Sequence, residues 1–230
     1  MRARPAATSG LVSRWQSVLA TVRAAEREAG RDPDGVSLVA VSKGVAADTI
    51  ETLLAVGHRA FAENRVQEMQ AKWPPLLERY PAAELRFVGR LQSNKVTAAA
   101  GLAHVIESVD RESVARALSN CSAVRDRAVR LLVQVNVGEE PQKGGCPPAE
   151  AGRFITWCQA ELGLRVSGVM GIPPKDTDPV PYFGLLRTLR DRIGLAELSM
   201  GMSADYEAAI QMGATHVRVG TAVFGPRPRT

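Results

Sequence analysis

The sequence predicts an α/β fold, a closed (β/α)8 TIM barrel with an extra N-terminal helix. Short apolar, β-branched runs alternate with helical stretches along nearly the whole chain, which is typical of βαβ units in a parallel sheet. Eight such strands can be counted, the number that closes a barrel of this kind. A doubly wound open sheet is the alternative, but the first strand-to-helix turn, residues 42–46, lacks the G-x-G-x-x-G pattern of dinucleotide folds.

The elements follow from local patterns along the chain. A first helix is predicted over residues 11–29, because its apolar residues recur at helical spacing, and Gly30 and Pro33 end it. The predicted strands cover residues 36–42, 59–63, 85–89, 104–109, 130–137, 164–172, 197–200 and 216–220. The predicted helices after the first cover residues 47–56, 66–79, 94–100, 111–118, 149–162, 180–192 and 204–212. A glycine, the residue that most often ends a helix, follows four of them.

Length and composition indicate one globular domain over residues 1–230. Hydrophobic residues make up 45% of the chain and charged residues 23%, and no linker interrupts the pattern. No apolar run approaches the roughly 18 residues needed to cross a bilayer. The segment 1–10 has no apolar core after its arginines, so it does not resemble a secretory signal. We therefore expect a cytoplasmic protein.

Charge and residue usage exclude several classes of site. The formal net charge is +5, which suits an anionic small molecule or nucleic acid but by itself is typical of a solvated surface. Aromatic residues make up 5% of the chain and are not interleaved with basic runs, so nucleic-acid binding is not favoured. Three cysteines without C-x-x-C spacing and three scattered histidines indicate neither a disulfide framework nor a metal site.

Lysine chemistry is restricted to few candidates, since only five of the 29 basic residues are lysines. Lys43 ends the first predicted strand and shares a face with Val39 and Val41, because side chains alternate along a strand. If that face points into the barrel, Lys43 lies at its mouth above a stack of valines. Desolvation there favours the neutral amine, the form that condenses with an aldehyde. The alternative is a lysine that extends into solvent at a strand end.

The last two strand ends provide a candidate anion site. Ser203 is predicted to cap a helix that begins at residue 204, and the first N–H groups of a helix can receive an anion. Gly220 allows close backbone approach, and Thr221 offers a hydroxyl and an N–H. Barrels commonly hold phosphate in the loops after strands seven and eight. Two ordinary turns with a helix cap are the alternative.

An inward-facing arginine completes the pattern. Arg218 lies two residues before Gly220 and so faces the same side of its strand. A buried arginine needs a partner, either a barrel carboxylate such as Glu63 or a nitrogen of a heteroaromatic ligand. A phosphate site, an inward arginine and a mouth lysine together suggest pyridoxal 5′-phosphate (PLP). Its aldehyde would meet Lys43, and its ring nitrogen would meet Arg218.

Several longer stretches resemble one family, the pyridoxal-phosphate homeostasis proteins, which are single-domain relatives of the alanine racemase N-terminal barrel. These stretches are LVAVSK (38–43), FAENRVQE (61–68), FVGRLQSNK (87–95), SVD (108–110), VNV (135–137), LSMGMS (198–203) and RVGTAVFG (218–225). They occur in order over nearly the whole chain, so chance similarity is a poor explanation.

The resemblance implies one PLP held as a Schiff base on Lys43, with Asn64 beside the cofactor ring and Arg218 near the pyridine nitrogen. Phosphate contacts are implied at Ser203, Gly220 and Thr221. The family binds and buffers PLP in vitamin B6 homeostasis, with no secure catalytic reaction, so PLP-dependent apo-enzymes are candidate recipients. The oligomeric state, monomer or homodimer, stays open.

Four positions depart from the usual family pattern. They are Ala62 in place of glycine, Arg86 in place of histidine, Arg90 in place of histidine or proline, and Lys143-Gly144-Gly145 in place of Lys-Ser-Gly. Arg90 is expected to matter most, because it adds a cation near the mouth, where the phosphate or an incoming anion would bind.

A PLP-dependent amino-acid racemase of low activity is the alternative function. Racemisation needs a base on each face of the substrate, and in two-domain racemases the second base is a tyrosine from an additional β domain. The chain ends nine residues after Thr221, so we expect that domain to be absent. Tyr80, Tyr182 and Tyr206 are predicted on or beside helices, away from the strand ends. Arg218 would also oppose protonation of the ring nitrogen and weaken PLP as an electron sink, which favours a carrier.

Overall fold

Eight parallel strands close into a barrel in chain order, which confirms the predicted fold. The computed structural model describes residues 5–226. The strands are β1 (Ser37–Val41), β2 (Ala60–Glu63), β3 (Glu84–Phe87), β4 (Val105–Val109), β5 (Arg130–Val135), β6 (Val166–Gly171), β7 (Glu197–Ser199) and β8 (His216–Val219). Strand β1 pairs with β2 on one side and with β8 on the other. The sheet therefore has no open edge, and the doubly wound alternative is wrong.

Helices connect the strands on the outside. They are α1 (Pro5–Glu28), α2 (Ala47–Ala55), α3 (Val66–Arg79), α4 (Val96–Ala100), α5 (Glu112–Ser119), α6 (Ser122–Asp126), α7 (Pro148–Ala160), α8 (Val180–Ile193), α9 (Tyr206–Gln211) and α10 (Thr221–Phe224). A 3₁₀ turn at Ser93–Lys95 leads into α4. Every predicted element is present, although α1 begins earlier than expected. The sequence pattern does not predict the short helices α6 and α10. The segment judged not to be a secretory signal begins at residues 1–4, outside the described residues.

Helix α1 packs against α2, α9 and α10 on the outside of the barrel. Strand β8 is followed by only the four-residue helix α10, so α1 supplies apolar surface near the β8–β1 seam. Leu11, Val18 and Val22 of α1 are buried in the core between strands and helices. Arg14 Nε also donates to the carbonyl oxygen of Val223 at 3.1 Å. The extra N-terminal helix therefore completes the outer layer of the barrel.

The inside of the barrel is apolar in part and charged in part. Two small apolar clusters lie there, Val39, Val41 and Ala62 on one side and Val105, Leu132 and Met170 on the other. Four charged or titratable residues, Glu84, Arg130, Glu197 and His216, are the first residues of their strands. Arg86 joins them, because its Nη2 donates to Glu197 at 3.0 Å and contacts His216 Nε2 at 2.7 Å. This charged layer lies at the amino-terminal end of the barrel, the end that usually serves stability in this fold.

No helix among residues 5–226 is long and apolar enough to cross a membrane.

Candidate functional site

The carboxyl ends of the parallel strands meet at one mouth of the barrel, and most of the predicted site residues lie there. Lys43 follows β1, Asn64 follows β2, Ser203 follows β7, and Gly220 and Thr221 follow β8. The topology therefore brings together residues that are far apart in sequence. Arg218 belongs to the same group but lies lower, within strand β8.

The turn that carries Lys43 begins directly after β1. The ladder between β1 and β2 continues to Ser42, whose N–H donates to the carbonyl oxygen of Ala62 at 2.9 Å. Val41 packs in the interior apolar cluster, whereas the Ser42 hydroxyl donates to Glu63 Oε1 at 2.7 Å, on the side of α3. Continued alternation assigns the half-buried Lys43 to the interior side. Val45 N–H closes the turn on the Ser42 carbonyl oxygen at 3.0 Å.

The two loops of the candidate anion site meet each other. The backbone N–H of Ala222 donates to the Ser203 hydroxyl at 3.5 Å, which links the loop after β7 to the beginning of α10. A cleft of about 210 Å³ runs alongside and is lined by Gly220 and Thr221 on one side and by Val41 and Gly44 on the other. The turn that carries Lys43 and two of the three predicted phosphate contacts, Gly220 and Thr221, therefore border one cleft.

The predicted role of Ser203 as a helix cap is wrong. Helix α9 begins at Tyr206, two residues later than expected, and Asp205 is its capping residue. The Asp205 carboxylate accepts the N–H of Met202 at 2.6 Å, and this bond holds the loop in a turn before the helix starts. The shift leaves the Ser203 side chain directed at α10 instead.

Arg218 is buried inside the barrel and is held there by two hydrogen bonds. Its Nη1 donates to the Ser199 hydroxyl at 2.7 Å, and its Nη2 donates to the carbonyl oxygen of Gly171 at 3.0 Å. The nearest carboxylate is Glu107, at 4.0 Å. The predicted partner, Glu63, is wrong, because Glu63 faces α3. Burial lowers the pKa of Arg218, and Glu107 opposes this shift, so the guanidinium keeps its charge at neutral pH.

Glu107 connects Arg218 to the charged layer below. It is fully buried; its Oε1 accepts a hydrogen bond from Arg86 Nη1 at 2.7 Å, and its Oε2 accepts one from Ser199 at 2.6 Å. Burial raises the pKa of Glu107, but the charges of Arg86 and Arg218 lower it by a larger amount. The net shift of the pKa is therefore downward. The chain Arg86–Glu107–Ser199–Arg218 therefore fixes the inward arginine from below. Nothing in the sequence pattern marks Glu107 or Ser199 for this role.

The sequence and fold match known proteins over nearly the whole chain. Residues 16–228 match the family described as "Alanine racemase, N-terminal domain". The pyridoxal phosphate homeostasis protein of Aquifex aeolicus is 37% identical over 223 residues, which cover 93% of this chain and 97% of that protein. The chain belongs to the pyridoxal phosphate homeostasis protein family.

Solved structures agree with this assignment. PipY of Synechococcus elongatus, in a structure with PLP bound, has a TM-score of 0.78 and 32% identity, covering 94% of this chain and all of that one. Alanine racemase from Corynebacterium glutamicum has a TM-score of 0.66 at 17% identity, covering 92% of this chain and 62% of the racemase. The likeness to the racemase is one of fold alone.

The structure explains one departure from the family pattern. Arg86 is fully buried, and its guanidinium pairs with Glu107, Glu84 and Glu197. Burial lowers the pKa of Arg86, but these three carboxylates outweigh that effect, so the net shift is upward. An arginine is accepted at this interior position because the chain supplies the carboxylates that a buried charge needs.

Ala62 lies within β2 in the interior apolar cluster, whereas the other two departures lie at the mouth. Arg90 is exposed and lines a cavity of about 240 Å³ together with Gln134, Asn136 and Lys143. In the loop of Lys143, Gly145 has φ +124, and a Cβ there would lie 2.5 Å from the backbone nitrogen of Asn136. Glycine is therefore required at that position. The expectation that Arg90 contacts an anion stays a prediction.

Two buried polar atoms at the strand ends, Glu63 Oε2 and Ser108 Oγ, have no hydrogen-bond partner among the described residues. The Ser108 hydroxyl is buried without a hydrogen bond. Strand β4 has a bulge at which two of its residues, Glu107 and Ser108, lie opposite a single residue of β5, Leu132. Buried hydroxyls without partners are uncommon, and a bound ligand is one way to satisfy them. Ser108 stands in the SVD motif but was not singled out by the sequence pattern.

The three tyrosines lie where the sequence predicts. Tyr80 directly follows α3, Tyr182 lies in α8, and Tyr206 begins α9. All three are on or beside helices. None of them follows a strand at the barrel mouth.

Proposed function

We propose that this chain binds one PLP covalently through Lys43 and acts in intracellular PLP homeostasis as a carrier or regulator. The observation that carries the proposal is the shared cleft, which brings the turn of Lys43 next to Gly220 and Thr221. The curated relative from Aquifex aeolicus is named for PLP homeostasis, and the PipY structure has PLP bound. The whole chain would serve as a single PLP-binding domain.

The residues present fit the chemistry of this cofactor. A phosphate needs hydrogen-bond donors, which Ser203, Gly220 and Thr221 would supply at the ends of β7 and β8. Arg218 would meet the ring nitrogen and Asn64 the ring. Lys43 would form a C=N bond with the aldehyde carbon, and the aldehyde oxygen would leave as water. The unpartnered hydroxyl of Ser108 is a further polar atom that a ligand in the barrel mouth could satisfy.

Arg218 favours a carrier over an enzyme. PLP supplies an electron sink when its ring nitrogen is protonated. Arg218 is held by Ser199 and Gly171 and keeps its charge, so beside the ring nitrogen it would donate a hydrogen bond and oppose protonation. The tyrosines lie on or beside helices, so the second base of a racemase has no candidate among them. Low racemase activity remains the second candidate function, supported by the fold shared with alanine racemase.

Borohydride reduction of the PLP-treated protein tests the proposal. Reduction fixes a pyridoxyl group on the lysine that holds PLP, and peptide mass spectrometry should find it on Lys43. Lys43→Ala should abolish the adduct but retain weak PLP binding, because the phosphate contacts do not involve this residue. Lys95→Ala, which removes another partly buried lysine, is the matched control and should label normally. An adduct on Lys95 or Lys143 in the wild type would show that the assigned site is wrong.

The racemase alternative has its own test. D-alanine that accumulates from L-alanine at a rate dependent on Lys43 would favour an enzyme. Absence of such accumulation in PLP-loaded protein, together with the Lys43 adduct, would favour the carrier.

We further propose that the protein works in the cytoplasm and passes PLP to PLP-dependent apo-enzymes. The three cysteines are buried thiols without disulfides, which is consistent with a reducing compartment. A monomer and a homodimer are both compatible with this function.

A further inference from the structure

Two charged side chains of helix α3 hold the turn that carries Lys43. This turn, residues 42–45, is called the Lys43 turn below. Lys72 Nζ donates to the carbonyl oxygens of Ser42 at 2.9 Å and Val45 at 3.1 Å, one at each end of the turn. Glu68 Oε1 accepts the backbone N–H of Gly44. We refer to Glu68 and Lys72 together as the α3 clamp.

The geometry of the turn explains why it needs an outside partner. Gly44 has φ +72, and Val45 N–H donates to Ser42 O, so Lys43 and Gly44 occupy the two central positions of a turn of type II pattern. The turn's own hydrogen bond leaves the Gly44 N–H unused. Glu68 accepts that N–H, and the peptide between Lys43 and Gly44 is thereby held in one orientation. The Cα–Cβ direction of Lys43 depends on that peptide.

The clamp is itself tied to the buried strand end. Lys72 Nζ lies 2.9 Å from Glu68 Oε1 and 2.7 Å from Glu63 Oε1. Glu63 is fully buried and also accepts hydrogen bonds from Ser42 Oγ at 2.7 Å and Trp73 Nε1 at 3.1 Å. Charge-assisted hydrogen bonds of this kind are stronger and more directional than neutral ones. The α3 clamp therefore connects helix α3 to the Lys43 turn, which carries the amine proposed to react with PLP.

We infer that Glu68 and Lys72 are positioning residues that aim the Lys43 amine at the aldehyde carbon of PLP. This inference rests on the proposed function. The clamp does not take part in the condensation, in which the amine and the aldehyde give an imine and water; both of its residues bind the backbone of the turn. Its effect is on how often the amine is correctly placed. Misplacement of a reacting group by a small distance is enough to slow a reaction substantially.

We choose Glu68 for substitution, because removing the charge of Lys72 would also destabilise the folded protein. Loss of the Lys72 charge would leave Glu63 as an unpaired buried carboxylate, which is strongly destabilising. Glu68 is partly exposed, with 25% of its side chain accessible, and its removal leaves the Lys72–Glu63 pair in place. Glu68→Ala removes the acceptor for Gly44 N–H. Glu68→Gln removes the charge but keeps an oxygen that can accept the same N–H.

The control comes from a similar pair on α5. Glu112 lies in the first turn of its helix, as Glu68 does, and pairs with Arg116 four residues later at 2.6 Å. Both side chains of that pair are exposed. Glu112→Ala therefore removes an equivalent helical ion pair that is far from the Lys43 turn.

Two measurements test the inference. The first is amide hydrogen exchange at Gly44 in protein without PLP, where Glu68→Ala should exchange faster than the wild type and Glu68→Gln should stay close to it. The second is the initial rate at which borohydride-trapped pyridoxyl appears on Lys43. We expect this rate to fall about tenfold in Glu68→Ala and to recover in Glu68→Gln, with Glu112→Ala unchanged.

The outcomes separate this inference from the proposed function. Labelling of Lys43 at the wild-type rate in Glu68→Ala would overturn the positioning role while leaving the proposed function intact. Equal slowing in Glu112→Ala would also overturn it, since the effect would then be a general loss of stability. If the wild type carries no pyridoxyl on Lys43, the proposed function fails, whereas faster Gly44 exchange in Glu68→Ala would still support the clamp.

Discussion

At the scale of single residues, Arg218 is held in place through Glu107, a buried carboxylate that lies below the barrel mouth. Glu107 accepts hydrogen bonds from Arg86 and from Ser199, and Ser199 in turn accepts one from Arg218. Two buried cations therefore share one buried anion. This arrangement fixes the height of the Arg218 guanidinium inside the barrel. If PLP binds with its ring nitrogen at Arg218, as we propose, Glu107 and Ser199 would influence its electron-withdrawing capacity indirectly.

Replacement of Glu107 by glutamine should be strongly destabilising. Glutamine keeps one acceptor oxygen, but it removes the charge that balances Arg86 and Arg218, and its NH2 group cannot accept the second of the two hydrogen bonds that Glu107 receives from Arg86 and Ser199. Breaking a buried ion pair from one side typically costs about 3–5 kcal/mol. Urea unfolding of Glu107→Gln followed by circular dichroism should show a free energy of unfolding reduced by that amount.

The matched control for Glu107 is Glu112→Gln. Glu112 is 63% exposed and pairs with an exposed arginine, and such surface pairs contribute about 0–1 kcal/mol. Equal stability losses in the two variants would contradict the assigned role of Glu107, because burial would then make no difference.

At the scale of elements, the ends of β2 and β3 are in such close contact that only glycine fits between them. A Cβ placed on Gly89 would lie 1.9 Å from the carbonyl oxygen of Asn64 and 2.6 Å from its carbonyl carbon. These are backbone atoms, so no side-chain rotation can relieve the clash. Gly89 therefore fixes where the backbone of Asn64 runs at the barrel mouth.

Gly89→Ala should lower the free energy of unfolding by about 2 kcal/mol or more, because overpacking a rigid contact forces backbone movement. It should also weaken PLP binding, since Asn64 is displaced. Thermal unfolding and a PLP titration check the two effects. Gly184→Ala in α8 is the control: its Cβ would make an ordinary contact 3.5 Å from Met212, and alanine is favoured over glycine in a helix by about 1 kcal/mol. A Gly89→Ala variant as stable as Gly184→Ala would exclude the steric role.

The sequence predicts the barrel well because its strands are marked by repeated local patterns. Each strand is apolar enough to be buried on both sides, and glycines such as Gly194, with φ +75, end the helices between them. Alternation alone placed Arg218 inside the barrel, where its hydrogen bonds confirm it. Helices α6 and α10 are not predicted, because segments of five and four residues are too short to show a helical spacing of apolar residues.

The parts of the site that could not be predicted depend on contacts between distant elements. Glu63 was one of two partners considered for Arg218, but it lies against α3, where it contacts Trp73 and Lys72. The displaced start of α9 depends on one side-chain bond, from Met202 N–H to Asp205. The bulge at Glu107 and Ser108 cannot be recognised without knowing how β4 pairs with β5. Register and side-chain pairing are tertiary properties, and a single sequence does not display them.

At the scale of the whole molecule, the barrel is a closed sheet. Its interior carries charged residues at the amino-terminal end and opens to solvent at the mouth, the carboxyl-terminal end. The charged residues inside the barrel, in the amino-terminal layer and just above it, are balanced, since three buried or partly buried arginines face three glutamates. They are Arg86, Arg130 and Arg218, and Glu84, Glu107 and Glu197. Balanced pairing lets a barrel hold polar groups where a hydrophobic core would be usual. The same balance makes the stability of the barrel sensitive to protonation.

Two histidines in different parts of the molecule are kept neutral by burial, and both ring nitrogens of each lie within hydrogen-bond distance of a partner. His58 Nδ1 accepts the indole N–H of Trp15 in α1 at 3.2 Å, and its Nε2 lies 2.8 Å from the Ala60 carbonyl oxygen. His216 Nε2 accepts from Arg86 at 2.7 Å, and its Nδ1 lies 2.8 Å from Thr215 Oγ1. Burial lowers the pKa of each histidine to about 4, with nearby Arg59 adding to the shift at His58 and Arg86 at His216. At His216 the surrounding carboxylates Glu84, Glu107 and Glu197 only partly oppose this.

Stability should therefore fall as the pH is lowered from 6.5 towards 4. In this range an unfolded histidine, with a pKa near 6.5, binds a proton that the folded one does not, so protonation favours the unfolded chain. A shift of this size corresponds to about 3 kcal/mol per histidine when the pH has passed the folded pKa. The carboxylates Glu107 and Glu197 have lowered pKa values, so their contribution is lost only at still lower pH. Urea unfolding at pH 7.5, 6 and 5 measures the slope, and His58→Gln, which can keep both hydrogen bonds without titrating, should make that slope shallower. An unchanged slope in His58→Gln would mean that His58 is protonated as easily in the folded protein as in the unfolded chain, and that the link between α1 and the barrel is not sensitive to acid.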